Sequence, residues 1–410
     1  MTTAVPDKRR PPRRATPLQR VLLVVLSPLV FLALLELGVR VSGVSTDLAR
    51  NKNFKVAVPT WLLADPDWVR TEQRRMETRG PIRAEDVAWF ACFEEARFVG
   101  IKLKPHLDVY VVNPFNSIEV AKQVTFHLTS NGDGFRGPEF TPPSPSVLRV
   151  IAIGDSSTFG WGVDPAYTYE ELLARRLEAG GRRAEVFNLG MPGTNTRQGL
   201  AMLDHVAAPL QPRVVIASFG ANDARLTLRS AEDGMRGDES WLAAAQWALL
   251  HLKTFGLARR LIFTWYDPFQ AVHRSEATRV TPLVKTVSLA DYARNLRRIR
   301  GHATVLGART VVFLSVCTPD DYVAVMRDTA AQMHVPFVDA GQIFREKVGQ
   351  VRAGQLYPAE MAHYRDLYGT EAMDRFWLFY VTTDGCHPNR VGQSLIADAL
   401  AGAVTATLDR

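Results

Sequence analysis

The chain has 410 residues, of which 47% are hydrophobic and 22% are charged, and its formal net charge is +7. Six basic side chains and one acidic side chain lie within residues 1–20, so the rest of the chain is close to neutral. A basic groove for nucleic acid is therefore not indicated, and the length allows one large α/β domain with additional segments.

A basic N-terminus precedes an apolar run without charges, Val21–Leu35, which continues through Glu36. The run reaches the roughly 20 residues of a membrane-spanning helix only if Glu36 is included near its outer end. Basic residues hold their end of such a helix in the cytoplasm. We therefore predict a cytoplasmic segment (1–20) and a single transmembrane signal-anchor (21–44) in the inner membrane. Everything that follows should face the periplasm or the cell exterior.

The alternative is a secreted protein whose apolar segment is cleaved as a signal peptide, because a charged start and an apolar stretch of roughly 15 residues also fit that description. No convincing small-x-small cleavage site follows, which favours the anchor. Arg13-Arg14 raises a twin-arginine export signal, but the residues after it fit poorly. The flanking cations argue against a buried core helix.

Residues 45–145 are predicted to form an extracytoplasmic preamble with short strands. Within it, Val124–Thr129 alternates apolar and polar residues, the period of a strand with one buried face. Asn131–Gly134 then supplies a turn that tolerates positive φ. Three prolines at 142, 143 and 145 close the region.

Four apolar runs rich in β-branched residues follow, separated by stretches with helical spacing. This alternation predicts parallel strands joined by crossover helices. The fold class is therefore α/β, a three-layer α/β/α sandwich around a central parallel sheet. The predicted strands are 148–153, 184–188, 213–219 and 310–315, and the predicted helices are 169–177, 291–300 and 389–408.

We assign residues 146–410 to this domain, with an insertion at 224–290. The insertion is rich in aromatic residues and could cover the sheet end as a lid or substrate wall. For any single aromatic residue, packing against the sheet is the better interpretation. The aromatic residues concerned are Trp241, Trp247, Trp265, Tyr266 and Phe269.

Four short motifs follow predicted strands or precede the last helix. Open α/β sheets bind ligands at the carboxyl ends of their strands, so these motifs should meet at one edge. They are Gly154-Asp155-Ser156-Ser157, Asn188-Leu189-Gly190, Gly220-Ala221-Asn222-Asp223 and Asp384-Gly385-Cys386-His387-Pro388.

A serine at a strand-to-helix turn is exposed to substrate, but its hydroxyl needs a base to accept its proton. His387 is the candidate base for Ser156. Asp384 lies three residues earlier, close enough for its carboxylate to reach Nδ1 and leave Nε2 facing the hydroxyl. Taken alone, Ser156 could equally cap a helix.

Competing residues exist for two of these roles. Ser157 is the competing nucleophile. Asp223 and Asp339 are alternative partners for His387, although turns or helix starts suit both better.

Together and in this order, the four motifs resemble the SGNH (GDSL-type) esterase superfamily. The resemblance covers residues 148–408 and implies a flavodoxin-like fold with Ser156 as nucleophile, His387 as base and Asp384 as its orienting acid. It further implies an oxyanion hole built from the backbone N–H groups of Ser156 and Gly190 and the side-chain amide of Asn222. Residues 131–140 resemble, more weakly, the leader of membrane-anchored bacterial members.

The resemblance implies a serine hydrolase that cleaves acyl esters, with acetyl esters on a cell-envelope carbohydrate as the first expectation. The alternatives are an O-acyltransferase that uses the same acyl-enzyme and a glycan-binding scaffold without catalysis. Neither a metal nor a cofactor is expected, because ligand spacing and phosphate-loop residues are absent from the sequence. The expected partners are an acyl-ester substrate and, through the N-terminal helix, a membrane.

The three cysteines have no metal-site spacing, and their odd number leaves at least one thiol free. A Cys317–Cys386 bridge near the site is left open by the sequence. Cys386 as nucleophile is disfavoured, because its side chain should point away from that of its neighbour His387. Arg225 and Arg229 follow Asn222 and could meet an acidic sugar, but we expect them in solvent.

Overall fold

The N-terminal apolar segment forms one long helix, α1 (Pro17–Ser42). The computed structural model describes residues 16–44, 87–88, 92–112, 125–228, 230–233, 240–265, 283–368, 378–381 and 385–409. Within α1, Val24–Ser42 has a mean hydropathy of 2.1 and is almost entirely exposed. The predicted apolar helix is thus present. A membrane anchor and a signal sequence both contain such a helix, so it does not distinguish between them.

Five short strands precede the main sheet. They are β1 (Val87–Ala88), β2 (Phe93–Ala96), β3 (Gly100–Leu103), β4 (Asp108–Val112) and β5 (Thr125–Thr129). β2 and β3 form an antiparallel hairpin, while β4 pairs with β1 in parallel and with β5 in antiparallel fashion. β5 confirms the predicted strand, whose first residue, 124, lies outside the described residues.

The preamble packs on the α/β domain. Its buried Phe93, Ile101 and Phe126 belong to the same apolar cluster as Phe159 and Phe187 of the domain. Burial of these side chains from water is what holds the preamble in place. This part of the preamble therefore shares a core with the domain that follows.

The central sheet has five parallel strands in the spatial order β12-β11-β8-β6-β7. The four predicted strands are all in it, within one residue at each end. The sequence analysis missed β12, which has only three residues and so shows no pattern. The strands are β6 (Leu148–Gly154), β7 (Ala184–Asn188), β8 (Val214–Ser218), β9 (Leu226–Thr227), β10 (Val284–Lys285), β11 (Thr310–Ser315) and β12 (Phe337–Asp339), of which β9 and β10 lie outside this sheet.

Helices cover both faces of the sheet. Along β6, Ile151 and Ile153 enter one apolar cluster while Val150 and Ala152 enter the other, because alternate side chains of a strand point to opposite faces. The predicted three-layer architecture is therefore confirmed. The helices after α1 are α2 (Ser156–Phe159), α3 (Tyr169–Ala179), α4 (Thr196–His205), α5 (Trp241–Leu249), α6 (Lys253–Trp265), α7 (Leu289–Val305), α8 (Asp320–Met333), α9 (Ala340–Arg352), α10 (Pro358–Tyr368) and α11 (Arg390–Leu408).

The three predicted helices correspond to α3, α7 and α11, each with slightly different ends. α11 is also long and apolar enough to cross a membrane. Half of it is buried and it packs against α3, so it is a core helix of the α/β domain.

The two ends of the 224–290 insertion lie side by side, because β9 near its start and β10 near its end pair in antiparallel fashion. Between them lie α5 and α6. Trp241 is 76% exposed, so the expectation that it packs against the sheet is wrong. Trp247 is half-buried. The side chains of Trp265, Tyr266 and Phe269 lie outside the described part of the chain.

A buried carboxylate in the first turn of α3 should make stability depend on pH. Glu170 is buried, and this burial raises its pKa to about 8. Between roughly pH 4.5 and 8 the folded state therefore holds a proton that the unfolded state has lost, so the free energy of unfolding falls as the pH rises. We expect Glu170→Gln to raise the urea midpoint near pH 8.5 and to change it little near pH 4.5.

The adjacent Glu171 provides a matched control, because its side chain is 44% exposed and pairs with Arg175. We expect Glu171→Gln to have a small effect at both pH values. An equal gain from Glu170→Gln at both pH values would contradict the argument.

Candidate active site

Ser156 begins the short helix α2, directly after β6 ends at Gly154. The residue that caps α2 is Asp155, whose carboxylate accepts a hydrogen bond of 2.9 Å from the Ser157 amide. The alternative that Ser156 serves as a helix cap is therefore wrong. The hydroxyl of Ser156 is therefore not used as the cap of α2.

The hydroxyl of Ser156 meets the imidazole of His387, although the two residues are 231 positions apart. Nε2 of His387 lies 2.9 Å from Oγ of Ser156, and both residues are 6% exposed. The hydroxyl of the competing Ser157 is buried beside the Asp155 carboxylate, and no hydrogen bond joins it to His387 among the described residues. Of the two serines, Ser156 is thus the one within reach of the base.

Backbone contacts on both sides of His387 fix its position. Its carbonyl accepts a 2.8 Å hydrogen bond from the amide of Val381, and the amide of Asn389 donates to the carbonyl of Phe379 at 2.7 Å. Asn389 also caps α11, accepting from the amides of Val391 and Gly392. The imidazole is therefore held between a short β-bridge and the start of a helix.

Gly190 packs tightly against α2. A Cβ at this position would lie 2.5 Å from the Phe159 nitrogen and 2.7 Å from Cγ2 of Thr158, so only glycine fits. Its N–H donates to Oδ1 of Asn188 at 2.9 Å, and Nδ2 of Asn188 donates to the Thr158 carbonyl. The Gly190 amide can serve an oxyanion only if it shares or exchanges this bond.

Asn222 joins the same cluster through Thr194. Nδ2 of Asn222 donates to the Thr194 carbonyl at 3.1 Å, and the Thr194 hydroxyl donates to the Gly154 carbonyl at 2.8 Å. An amide nitrogen has two N–H groups, so one of them stays available to a substrate. The structure thus connects the segments that carry Ser156, Gly190 and Asn222. Asn188 and Thr194, to which the sequence analysis gave no role, link them.

Two buried carboxylates lie behind the site. Burial raises the pKa of Asp155 to about 7 and that of Asp223 to about 6. Asp223 accepts from the Thr196 amide at the start of α4 and from the Gly220 amide, while Asp339 caps α9. The expectation that Asp223 and Asp339 serve turns or helix starts is therefore confirmed.

Asp384 lies outside the described residues, so its role beside His387 stays a prediction. Nδ1 of His387 is shielded from solvent. A buried imidazole nitrogen of this kind requires a partner, and Asp384 is the carboxylate that the sequence provides nearest to it.

A buried arginine of the preamble fixes the loop behind α2. The Arg136 guanidinium donates to the carbonyls of Phe159 and Gly160 at 2.8 and 2.5 Å and also reaches the Val163 carbonyl. A fourth bond goes to the carbonyl of His127 on β5. Sequence analysis placed Arg136 in the leader segment without a role. The structure shows that it ties the preamble to the helix that carries Ser156.

A disulfide joins Cys317, just beyond β11, to Cys386, the neighbour of His387. This confirms the bridge that the sequence left open, and it excludes Cys386 as a nucleophile. Cys92 is the free thiol and is buried, which raises its pKa to about 12. The bridge joins the loop that carries His387 to the segment just after the carboxyl end of β11.

Removing the bridge should cost both stability and activity. The loop that it closes spans 69 residues, so we expect a Cys317→Ser/Cys386→Ser variant to lose about 2–4 kcal/mol of unfolding free energy. Turnover should fall as well, because His387 loses one of its restraints. Urea unfolding and ester hydrolysis would measure the two effects.

The free cysteine gives the control for this variant. Cys92→Ser should keep the dependence of the wild-type protein on reducing agent, whereas the double variant should show none. A double variant with wild-type stability and turnover would contradict the role given to the bridge.

Arg225 was expected in open solvent, and this expectation is wrong. It is partly buried, and burial lowers the pKa of its guanidinium. Arg229 lies outside the described residues.

Within the described ranges, no group of three or more His, Cys, Asp or Glu side chains could hold a metal ion.

The geometry can be compared with known proteins. A family model described as the GDSL-like lipase/acylhydrolase family matches residues 152–395. A curated relative, the GDSL esterase/lipase WDL1 of Oryza sativa subsp. japonica, is 26% identical over 155 residues. That match covers 35% of this chain and 55% of the relative, so the chain spans about half the length of the relative.

Solved structures with similar folds include TesA, which is 18% identical with a TM-score of 0.34, covering 64% of this chain and 98% of that chain. An esterase EstA from Pseudoalteromonas is 13% identical with a TM-score of 0.36, and the match covers 64% of this chain and 99% of that chain. An acetylxylan esterase Axe2 from Geobacillus stearothermophilus is 18% identical with a TM-score of 0.35, and the match covers 63% of this chain and 94% of that chain.

Proposed function

Because the chain belongs to the GDSL-like lipase/acylhydrolase family, a family of ester hydrolases, we propose that it cleaves short acyl esters through Ser156, His387 and Asp384. The observation that carries the proposal is the 2.9 Å separation of Nε2 of His387 from Oγ of Ser156. This is the distance at which an imidazole can accept the proton of an attacking hydroxyl.

The reaction would proceed through an acyl-enzyme. Oγ of Ser156 attacks the ester carbonyl carbon while Nε2 of His387 takes its proton, and the resulting imidazolium gives that proton to the departing alcohol. Water then attacks the acyl-enzyme while His387 takes a proton from it. The imidazolium returns that proton to Oγ of Ser156 as the acyl–oxygen bond breaks, and the free acid leaves. Asp384 would hold the imidazole in the tautomer with a proton on Nδ1.

The negative oxygen of the tetrahedral intermediate would be met by three N–H donors. These are the amides of Ser156 and Gly190 and the free N–H of the Asn222 side chain, as predicted from the sequence. Each such donor contributes roughly 3–4 kcal/mol to transition-state stabilisation in enzymes of this type. The Gly190 amide would move its hydrogen bond from Asn188 to the oxyanion as charge develops.

The burial of the two reacting side chains favours a small acyl group. Ser156 and His387 are each 6% exposed, so the reacting groups lie in a largely closed site, which supports a small acyl group. We propose acetyl esters, with a cell-envelope carbohydrate as the alcohol component. The proposed location outside the cytoplasm supports a carbohydrate as the alcohol component.

Product analysis tests the reaction. The full chain is incubated with nitrophenyl acetate, nitrophenyl octanoate and an O-acetylated oligosaccharide, and released acid is measured. We expect faster turnover of the acetate than of the octanoate, and free acetate from the oligosaccharide. Acetyl groups transferred to an added unacetylated oligosaccharide, without free acetate, would instead make the protein an O-acyltransferase.

We propose further that α1 is a retained anchor that holds the α/β domain outside the cytoplasm. The basic residues before α1 support this orientation. The Cys317–Cys386 disulfide also supports it, since such bonds persist in oxidising compartments. The intact mass of protein purified from membranes tests the anchor, because cleavage would remove the first 40 or so residues, about the length of charged start plus apolar segment.

A further inference from the structure

The insertion carries an exposed apolar face. On α5, Trp241 is 76%, Leu242 61% and Leu249 42% exposed, and Leu252, just beyond the helix, is 40% exposed. Positions 241, 245 and 249 are four residues apart, so they share one side of the helix. From 241 to 250 the sequence contains no charged residue. A face of this kind normally marks a surface that is covered in the functional state.

The end of this face is fixed to the apolar helix α1. The Glu36 carboxylate of α1 accepts hydrogen bonds from the amides of Lys253 and Thr254 at 2.9 and 2.8 Å and from the Thr254 hydroxyl at 2.8 Å. These are the first residues of α6, so Glu36 caps that helix. Arg40, one turn further along α1, donates to the carbonyl of His251 at 3.0 Å.

α6 is in turn fixed to the preamble. Its Arg259 forms two hydrogen bonds with the carboxylate of Glu95 on β2, at 2.7 and 3.0 Å, and both side chains are largely buried. Paired bonds of this geometry are among the stronger charged contacts. α1 is therefore connected to the folded part of the chain through α6 as well as through the backbone.

These contacts set the depth of α5 relative to a membrane. Glu36 and Arg40 lie in the outer part of the predicted span 21–44, at the end of α1 away from the basic N-terminus. Residues 251–254 touch these two side chains, so the C-terminal end of α5, at Leu249, lies close to this level. Tryptophan is enriched where a membrane meets water, because its amphipathic ring sits at the headgroup level.

We infer that α5, together with Leu252, lies in the outer interface of the bilayer that α1 spans, with Trp241 and Leu249 in contact with lipid. The inference rests on the proposed retained anchor and goes beyond the ester hydrolysis proposed above. The end of the exposed face adjoins residues 251–254, which are bonded to α1, and the proposed need of α1 for lipid favours a bilayer over a second protein as the occupant. The insertion then acts as a second membrane contact that fixes the orientation of the α/β domain.

Site-directed spin labelling of the full chain in nanodiscs tests the inference. Cys92 is buried and the other two cysteines are bonded, so an introduced cysteine is the accessible thiol. The test variants are Trp241→Cys and Leu249→Cys. The control is Val305→Cys, because Val305 is apolar and 89% exposed but lies at the end of α7. Intact mass shows that α1 is present, and circular dichroism shows that each variant is folded.

We expect the ratio of collision with oxygen to collision with a water-soluble nickel chelate to be several-fold higher at 241 and 249 than at 305. Equal ratios at the three positions would overturn the inference. Dipolar broadening between labels at 249, together with exclusion of both reagents, would indicate a second copy on this face and would also overturn it. None of these readouts requires turnover, so failure of the proposed hydrolase activity is detected separately.

Discussion

Replacement of Ser156 by alanine should lower kcat for nitrophenyl acetate by about four to six orders of magnitude, the loss seen when a nucleophilic serine is removed from such a site. The reason is that no acyl-enzyme can form without Oγ, which lies 2.9 Å from Nε2 of His387. Residual turnover above the uncatalysed rate should come from the remaining N–H donors. The fold should be preserved, since Asp155 and not Ser156 caps α2.

The adjacent serine offers a matched control for this experiment. Ser157 lies on the same helix and is also buried, but its hydroxyl lies beside the Asp155 carboxylate and makes no hydrogen bond to His387 within the described ranges. We expect Ser157→Ala to keep turnover within a few-fold of wild type. A phosphonate probe should label wild type and Ser157→Ala but not Ser156→Ala, as measured by peptide mass. Wild-type turnover in Ser156→Ala would refute the assignment.

The second large effect concerns the carboxylate that is predicted to orient His387. We expect Asp384→Asn to lower kcat by roughly 10³–10⁴-fold, because an amide in place of the carboxylate favours the wrong imidazole tautomer and no longer stabilises the imidazolium. KM should change little, since the carboxylate acts on the base and not on the substrate. Steady-state kinetics with nitrophenyl acetate would measure both constants.

Asp339 supplies the comparison for Asp384. Its carboxylate caps α9 by accepting from the Gln342 amide at 3.1 Å. Asp339→Asn keeps an oxygen that can serve as a cap, so we expect nearly wild-type kinetics and stability. If Asp384→Asn were also nearly wild type, a different group would have to orient His387, and the predicted triad would be wrong in this member.

The secondary structure was predictable where the local pattern is strong. The strands β6, β7, β8 and β11 are apolar and β-branched because they are buried on both faces, and that burial leaves a continuous signal in the sequence. Strand β12 and the short helix α2 are too brief to show a period, so they became visible only in the structure. The exposure of Trp241 was also mispredicted, because sequence alone does not say whether an aromatic residue has a surface to pack against.

The residue types of the candidate site were determined by the sequence itself. Ser156, Gly190, Asn222 and His387 stand in motifs that can be read from the chain, because their chemistry demands a hydroxyl, a residue without Cβ, an amide and an imidazole. That Oγ and Nε2 meet across 231 positions was decided only by the tertiary structure. The parallel pairing of the strands brings their carboxyl ends to one edge of the sheet, and the Cys317–Cys386 bond then fixes the loop of His387 there.

Contacts between distant segments leave no local pattern. Arg136 on the carbonyls behind α2 and Glu36 on the start of α6 use ordinary charged residues whose roles depend on what the fold places beside them. A hydrogen bond between such groups is decided by three-dimensional proximity and burial, and neither quantity is a property of neighbouring residues in the sequence. The sequence therefore determined the chemistry and the strands of this protein, while the tertiary structure decided which groups act together.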